Sequence, residues 1–256
     1  MHYIGIDIGS TATKAIVLDE HKQDILHQIL LPTGWSGRDA ANRVYEQLQS
    51  LDINMDQAAI VATGYGRVAV PYADKTITEI SCHGKGAAFL YQDRCVVIDI
   101  GGQDTKIITV KDGAVSDFIM NDKCSAGTGR FLEIMAMTLQ ISVQELFNLA
   151  QQGQEEGSDV KISSMCTVFA ESEVISLIGS GRAQTDIAYG IVDSIAEKVA
   201  SLCSRQSRAE RFFLTGGFCD SPYLCTRLGE RLGAEVLSTP LARYAGAIGA
   251  ALLAKK

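Results

Sequence analysis

Two short stretches carry the residue types from which a polyphosphate site is made. The first holds Asp7, Gly9, Ser10, Thr11 and Lys14; the second holds Asp99, Gly101, Gly102, Gln103, Asp104 and Lys106. A triphosphate needs backbone N–H donors that can approach closely, a hydroxyl or ammonium group for its oxygens, and a carboxylate that organises Mg2+ and its waters. Each stretch supplies all three. Written as IDIGSTATK (6–14) and IDIGGQDTK (98–106), they agree at six of nine positions with a constant offset of 92. A glycine turn alone requires no ligand, but a turn does not require an aspartate and a lysine at the same offsets twice. No GxxxxGK[ST] motif occurs, and the GTG at 127–129 is too short for a dinucleotide fingerprint.

Cysteine suggests a second chemistry. Cys124 lies in NDKCSAGTGRF (121–131) and Cys166 in SSMCTVFAESEVISLIG (163–179), each just ahead of an amphipathic run. Phe131, Met135 and Leu139 follow the first; Val168, Ile175 and Ile178 follow the second. The positive end of a helix dipole favours an anionic metal–thiolate centre, by roughly 0.3–1 kcal/mol when exposed. An iron–sulfur cluster usually takes four cysteines, so two per chain would be completed by a second chain across a twofold axis. Four thiolates also suit Zn2+, and the spacing leaves both open. The other five cysteines, at 82, 95, 203, 219 and 225, form no CxxC pair and read as small core residues. Glu133, Glu171 and Glu173 lie behind the two thiols as candidate nucleotide or interface contacts or as surface charge, with Lys123 and Arg130 beside them. His2, His21, His27 and His83 show no metal spacing.

Elements must position these groups. Each repeat follows an apolar run (YIGI, CVVI) and precedes a β-rich one (AIVL, IITV), which reads as strand, glycine turn, strand. Asp112-Gly113 is a two-residue hairpin signal leading to a third strand over 114–119, and DILHQILL (24–31) does the same for the first copy. Helices are expected over 39–51, 83–91 and 186–205, the last with Ile187, Ile191, Ile195, Val199 and Leu202 on one stripe. Ser142 with Glu145 forms a capping box, Ser221-Pro222 opens a helix that Gly233 ends, and ARYAGAIGAALLA (242–254) reads as a closing helix. FFLTGG (212–217) is a further strand with a glycine end, suited to a nucleoside. The chain thus reads as a duplicated α/β architecture.

The order of hairpin, hairpin and TGG loop resembles the actin, sugar kinase and heat-shock chaperone ATPase superfamily. That resemblance implies a two-lobed, duplicated ribonuclease H-like (actin-like) ATPase fold: one lobe from 1–92 with the C-terminal helix 241–256, the other from 93–240. It implies that Asp7 and Asp99 organise Mg2+ largely through water, that both tips hold the phosphates of ATP or ADP, that Gly216 and Gly217 line the adenosine site, and that Gln103 or Asp104 orients the attacking water. More narrowly, NDKCSAGTGRFLE, SSMCTVFAESE, TEISCHGKGA and VIDIGGQDTK resemble the ATP-dependent activator component of 2-hydroxyacyl-CoA dehydratases and the related benzoyl-CoA reductase ATPase subunits. This implies one oxygen-sensitive 4Fe-4S cluster per homodimer, held by Cys124 and Cys166, and a low-potential electron passed to a dehydratase or related reductase, with ferredoxin or flavodoxin as donor. A small-molecule kinase of the N-acetylglucosamine type shares the hairpins, and a zinc-linked dimer would use the same thiols.

The 256 residues, 46% hydrophobic and 21% charged, suffice for one large core or two smaller ones. A net charge of −7 with no basic cluster beyond the loose RQSRAER (205–211) excludes a nucleic-acid footprint. Neither a leader-like N-terminus nor a span-length apolar run is seen, so a cytoplasmic protein without membrane partners is expected.

Overall fold

The computed structural model describes residues 1–51, 53–91, 95–163, 166–206 and 211–255. The expected lobe boundary at 92/93, residues 207–210 of the loose basic run, Ser164 and Met165 of the second cysteine motif and the terminal Lys256 lie outside the described residues. Beginning at the N-terminus, alternation sends Ile4, Ile6 and Ile8 of β1 (His2–Ile8) into the core. Antiparallel β2 (Ala12–Leu18) and β3 (Ile25–Pro32) complete the first meander. Next come α1 (Gly37–Ser50), β4 (Ala58–Thr63), β5 (Lys75–Thr76) and α2 (Glu79–Leu90). The second meander is β6 (Cys95–Ile100), β7 (Thr105–Lys111) and β8 (Ala114–Asn121). Four helices follow: α3 (Gly129–Thr138), α4 (Val143–Glu155), α5 (Thr167–Gly179) and α6 (Gln184–Cys203). Then β9 (Arg211–Gly216), α7 (Pro222–Leu232), β10 (Glu235–Leu237) and α8 (Ala245–Leu253) close the chain.

The strand orders make the duplication explicit. One sheet runs β3-β2-β1-β4-β5 and the other β8-β7-β6-β9-β10, so each copy is ordered third, second, first, fourth, fifth. Within each copy the first strand pairs antiparallel with the second and parallel with the fourth. The repeat identified in the sequence is therefore the central hairpin of each sheet. Asp112 and Gly113, with φ of 53° and 75°, form the turn between β7 and β8. Ser142 and Ser221 cap α4 and α7 through Glu145 and Leu224 N–H, and Gly233 ends α7 in the left-handed region at φ 63°.

Helix α2 lies between the sheets. Cys82 packs with Ala59 and Val61 of β4, whereas a Cβ on Gly84 would stand 2.3 Å from Val115 of β8. Its partner α8 approaches so closely that a Cβ on Gly249 would stand 1.8 Å from the Cys82 carbonyl oxygen, and one on Gly86 1.9 Å from that of Ala245. The closing helix is shorter than its composition suggests, because Pro240 opens a 3-10 turn over Pro240–Tyr244 before α8 begins. Helices α1 and α2 begin two and four residues ahead of their expected starts, where the Ser36 and Thr78 hydroxyls provide the caps. Among the described residues, no helix is long and apolar enough to cross a membrane.

Candidate functional site

The two hairpin tips meet across a cleft. Both close by the same bond, Gly9 N–H to Ala12 carbonyl at 3.2 Å and Gly101 N–H to Asp104 carbonyl at 2.9 Å. A Cβ on Gly102 would stand 2.2 Å from Thr11 Oγ1 and 2.8 Å from Ser10 Oγ, so glycine lets one tip touch the other. Thr33 steadies the first tip, donating its hydroxyl to the Gly9 carbonyl at 2.7 Å and its N–H to the Thr11 carbonyl at 2.9 Å. Asp7, Gly9, Ser10, Thr11, Lys14, Asp99, Gly101, Gly102, Gln103 and Asp104 all line the cleft. Gly216 and Gly217 line it as well, with Phe218 and Arg243 beside them. At Gly216 φ is 96° and a Cβ would collide with the Ile100 carbonyl oxygen at 2.3 Å, which explains the glycine at the end of β9.

Repetition of Asp and Lys has a structural cause, because Asp7 faces Lys14 across the β1–β2 pair as Asp99 faces Lys106 across β6–β7. The two lysines differ nonetheless. Lys14 lines the cleft with its Nζ 3.8 Å from Asp7 Oδ2. Lys106 does not line it: its side chain is buried and its Nζ is held by Asp104 at 2.7 Å, Glu79 at 3.0 Å and Asp99 at 3.4 Å. Burial would lower the Lys106 ammonium, but Asp99, Glu79 and Asp104 outweigh it and raise it above its ordinary range. Lys106 thus anchors carboxylates where the sequence pattern suggested a phosphate contact.

Sequence reasoning missed two residues. Glu79 and His83 lie one turn apart on α2 and both line the cleft. His83 Nε2 stands 4.0 Å from Asp7 Oδ2 and 3.9 Å from Glu79 Oε1; its Nδ1 stands 3.4 Å from Asp99 Oδ1, without hydrogen-bond geometry. The i, i+4 spacing within TEISCH was the available signal. Burial works to raise the Asp99 carboxyl, yet His83, Lys106, the Thr215 hydroxyl and Lys14 together hold it down at about 2. Glu79 is raised, chiefly by burial and by its neighbours Asp7 and Asp99 against the pull of Lys106 and His83. Among the described residues of this cluster, four carboxylates (Asp7, Glu79, Asp99, Asp104) face two lysine ammonium groups, and buried Asp7 Oδ1 has no hydrogen-bond partner. A deficit of positive charge with an orphaned carboxylate oxygen fits a divalent cation.

The cysteines divide cleanly. Cys82, Cys95, Cys203 and Cys219 are buried and Cys225 is half-buried, while Cys124 and Cys166 are exposed. Burial pushes the Cys82 and Cys203 thiols up to about 12 and Cys225 to about 11, which disfavours thiolate ligation there. Cys166 is the N-cap residue of α5. Cys124 is not at a helix end: Gly127, at φ 88°, turns the chain so that α3 starts only at Gly129 after the Thr128 cap. The helix-dipole argument therefore applies to Cys166 alone. The two motifs nevertheless converge, because the residue after each cysteine bonds the other: Ser125 Oγ lies 2.9 Å from Thr167 Oγ1. Asn121 fixes the first loop, donating to the Cys124 carbonyl at 2.8 Å and accepting from its N–H at 3.3 Å.

This loop is also tied to the cleft. Gly129 N–H donates to the Gly101 carbonyl at 2.8 Å, Arg130 N–H to that of Gly102 at 2.9 Å, and Thr105 Oγ1 to that of Gly127 at 2.6 Å. Of the acids behind the thiols, Glu133 lines the cleft and pairs with Arg130, Glu171 accepts from Thr138 of α3, and Glu173 accepts from Ser163. Lys123 pairs with Asp122 at the surface. Val168, Phe169, Ile175 and Ile178 leave an apolar face of α5 exposed next to Cys166.

Comparison with known proteins places these features in context. The family model described as the BadF/BadG/BcrA/BcrD ATPase family matches residues 4–254. The (R)-2-hydroxyglutaryl-CoA dehydratase activating ATPase of Acidaminococcus fermentans is 44% identical, over 100% of this chain and 98% of its own. A solved structure, the activator of the 2-hydroxyisocaproyl-CoA dehydratase from Clostridium difficile with bound ADPNP, superposes with a TM-score of 0.89 at 36% identity, covering 99% of this chain and 94% of that one. A ROK family glucokinase from Streptomyces griseus superposes at 0.64 with 15% identity, covering 99% of both chains, and shares the two-lobed fold alone.

Proposed function

Because the chain belongs to the BadF/BadG/BcrA/BcrD ATPase family, we propose that it is an ATP-hydrolysing activator that passes single electrons to a 2-hydroxyacyl-CoA dehydratase or a related low-potential reductase. Cys124 and Cys166 of two copies would hold one 4Fe-4S cluster. Such a cluster, when bound, supplies one-electron transfer at low potential. The observation that carries this reading is the 2.9 Å contact between Ser125 and Thr167. It ties together the segments that carry the two exposed cysteines out of seven, beside the exposed apolar residues of α5. Exposed apolar patches of this kind mark interfaces, and a second copy would bring the thiol count to the four that a cluster takes.

The chain's own residues supply the coupling. Ser10, Thr11 and Lys14 from one tip, with Gly101 and Gly102 from the other, would hold the phosphates; Asp7 and Asp99 would organise Mg2+, whose charge offsets that of the phosphates. Gln103 or Asp104 would orient the hydrolytic water. Gly216 and Gly217 would flank the adenosine. Any shift of the second tip pulls on Gly129 and Arg130 at the start of α3. Through Ser125 and Thr167 the same shift reaches the start of α5, so nucleotide state and the geometry around both thiols change together. Ferredoxin or flavodoxin would supply the electron, in the cytoplasm.

Anaerobic purification tests the proposal. The expected result is a brown homodimer with about four iron and four sulfide per two chains, whose electron paramagnetic resonance spectrum shifts between ADP and ADPNP and whose absorbance bleaches in air. A colourless protein carrying zinc, or one that phosphorylates a sugar without iron, would overturn it.

A further inference from the structure

Half-buried Glu79 with buried His83 and Asp99 at the base of the cleft point to a ligand set that the phosphate hairpins do not account for. Glu79 and His83 project from one face of α2 toward β6, where Asp99 stands. One ligand atom from each of the three lies within 4.8 Å of the others. The imidazole faces the two carboxylates through different nitrogens, Nε2 3.9 Å from Glu79 Oε1 and Nδ1 3.4 Å from Asp99 Oδ1; the Nδ1–Asp99 separation is of the size spanned by two bonds of about 2.0–2.2 Å to a common ion. His83 is 4% exposed, and its Nδ1 has no hydrogen-bond partner among the described residues. A buried imidazole nitrogen without a partner carries a desolvation penalty that a bound cation would remove.

The surroundings reserve the place. Lys106 engages Asp99 through Oδ2, leaving Oδ1 on the imidazole side with the Thr215 hydroxyl at 2.9 Å. On the opposite flank, a Cβ on Gly246 of α8 would stand 2.8 Å from both His83 Nε2 and Asp7 Oδ2, so glycine keeps that space clear. We propose that Glu79, His83 and Asp99 form a site for a first-row divalent transition metal, with an imidazole nitrogen as ligand. Mg2+ is a hard ion that takes oxygen ligands and sheds water reluctantly, whereas imidazole suits Mn2+, Fe2+, Co2+ and Zn2+. The site therefore prefers such an ion to Mg2+ and takes it up before nucleotide arrives. This rests on the nucleotide-cleft reading and adds to it a second ion, bound directly by the three side chains and distinct from the Mg2+ that arrives with ATP and is organised through water.

Mn2+ is the probe, added to the anaerobically prepared, chelator-treated dimer in the absence of nucleotide. Loss of the free Mn2+ resonance should give one bound ion per chain, with 14N modulation in the electron spin echo that changes when the protein is labelled with 15N-histidine. His83→Gln should weaken binding by about tenfold or more and abolish the nitrogen modulation. Bound Mn2+ without nitrogen coupling in the wild-type protein, or equal affinity in wild type and His83→Gln, would overturn the assignment. The wild-type spectrum decides the matter even where the variant fails to fold. Binding of a fluorescent ATP analogue in excess Mg2+, measured separately, tells the two readings apart: nitrogen-coupled Mn2+ without nucleotide binding sustains the metal site and removes the nucleotide reading, and nucleotide binding without Mn2+ uptake removes the metal site.

Discussion

Gly102→Ala is the most informative single perturbation of the cleft. The added Cβ would stand 2.2 Å from Thr11 Oγ1 and 2.8 Å from Ser10 Oγ, against the 3.0–3.4 Å that is already tight for such a contact. Thr11 would have to retreat by roughly 1 Å, and overpacking of that kind costs about 1–3 kcal/mol. Because the clash lies between two tips and not within one sheet, the lobes can relieve it by opening slightly. Its cost then falls on the state in which both tips grip one ligand. At about 1.4 kcal/mol per tenfold, ADPNP affinity measured by calorimetry should weaken by roughly 5-fold to 150-fold. The melting temperature of the nucleotide-free protein should change by less than about 2 °C. Affinity within twofold of wild type would refute the idea that the tips close on the nucleotide together; a large drop in melting temperature would show the contact to be structural.

Two further outcomes follow from the packing and the charges. Gly249→Ala gains about 1 kcal/mol of helix propensity, but its Cβ would lie 1.8 Å from the Cys82 backbone oxygen, which cannot rotate away; thermal unfolding should show net destabilisation, and an unchanged or raised melting temperature would contradict the close α2–α8 approach. Asp99, held at about 2, is stabilised as the carboxylate, so its contribution is full above the ordinary carboxyl range and is lost as pH falls from about 4 to about 2. At 1.36 kcal/mol per unit this amounts to about 2 kcal/mol: denaturant unfolding should show the gap between wild type and Asp99→Asn shrinking by that much between pH 5 and 2, and a constant gap would contradict the assignment. Glu79, raised in the fold, acts with the opposite sign and at higher pH.

What the sequence made legible is what local chemistry dictates. The hairpins were readable because an Asp and a Lys at fixed offsets are cross-strand partners in both copies, and a two-residue register is a local property. The sorting of cysteines was readable as well, since Cys124 and Cys166 were set apart by the amphipathic run that each leads. His83 was not readable: on α2 it has only Glu79 as a sequence neighbour, and Asp7 and Asp99 reach it only after both sheets have formed around that helix. The same holds for Lys106, which stands at the same offset from its aspartate as Lys14 but whose ammonium is claimed by Glu79, 27 residues away in sequence, and by an Asp104 that the first copy replaces with Ala12. Cys124 was set too near its helix because the left-handed turn at Gly127 delays the start of α3.

Serine substitution of each cysteine in turn, with iron and sulfide measured on anaerobically purified protein, tests the central claim most directly. Cys124→Ser and Cys166→Ser should each abolish the cluster iron and sulfide and the electron transfer while ATP hydrolysis persists, and the five others should leave both intact. Full iron content after replacing either exposed cysteine, or loss of it after replacing a buried one, would contradict the account.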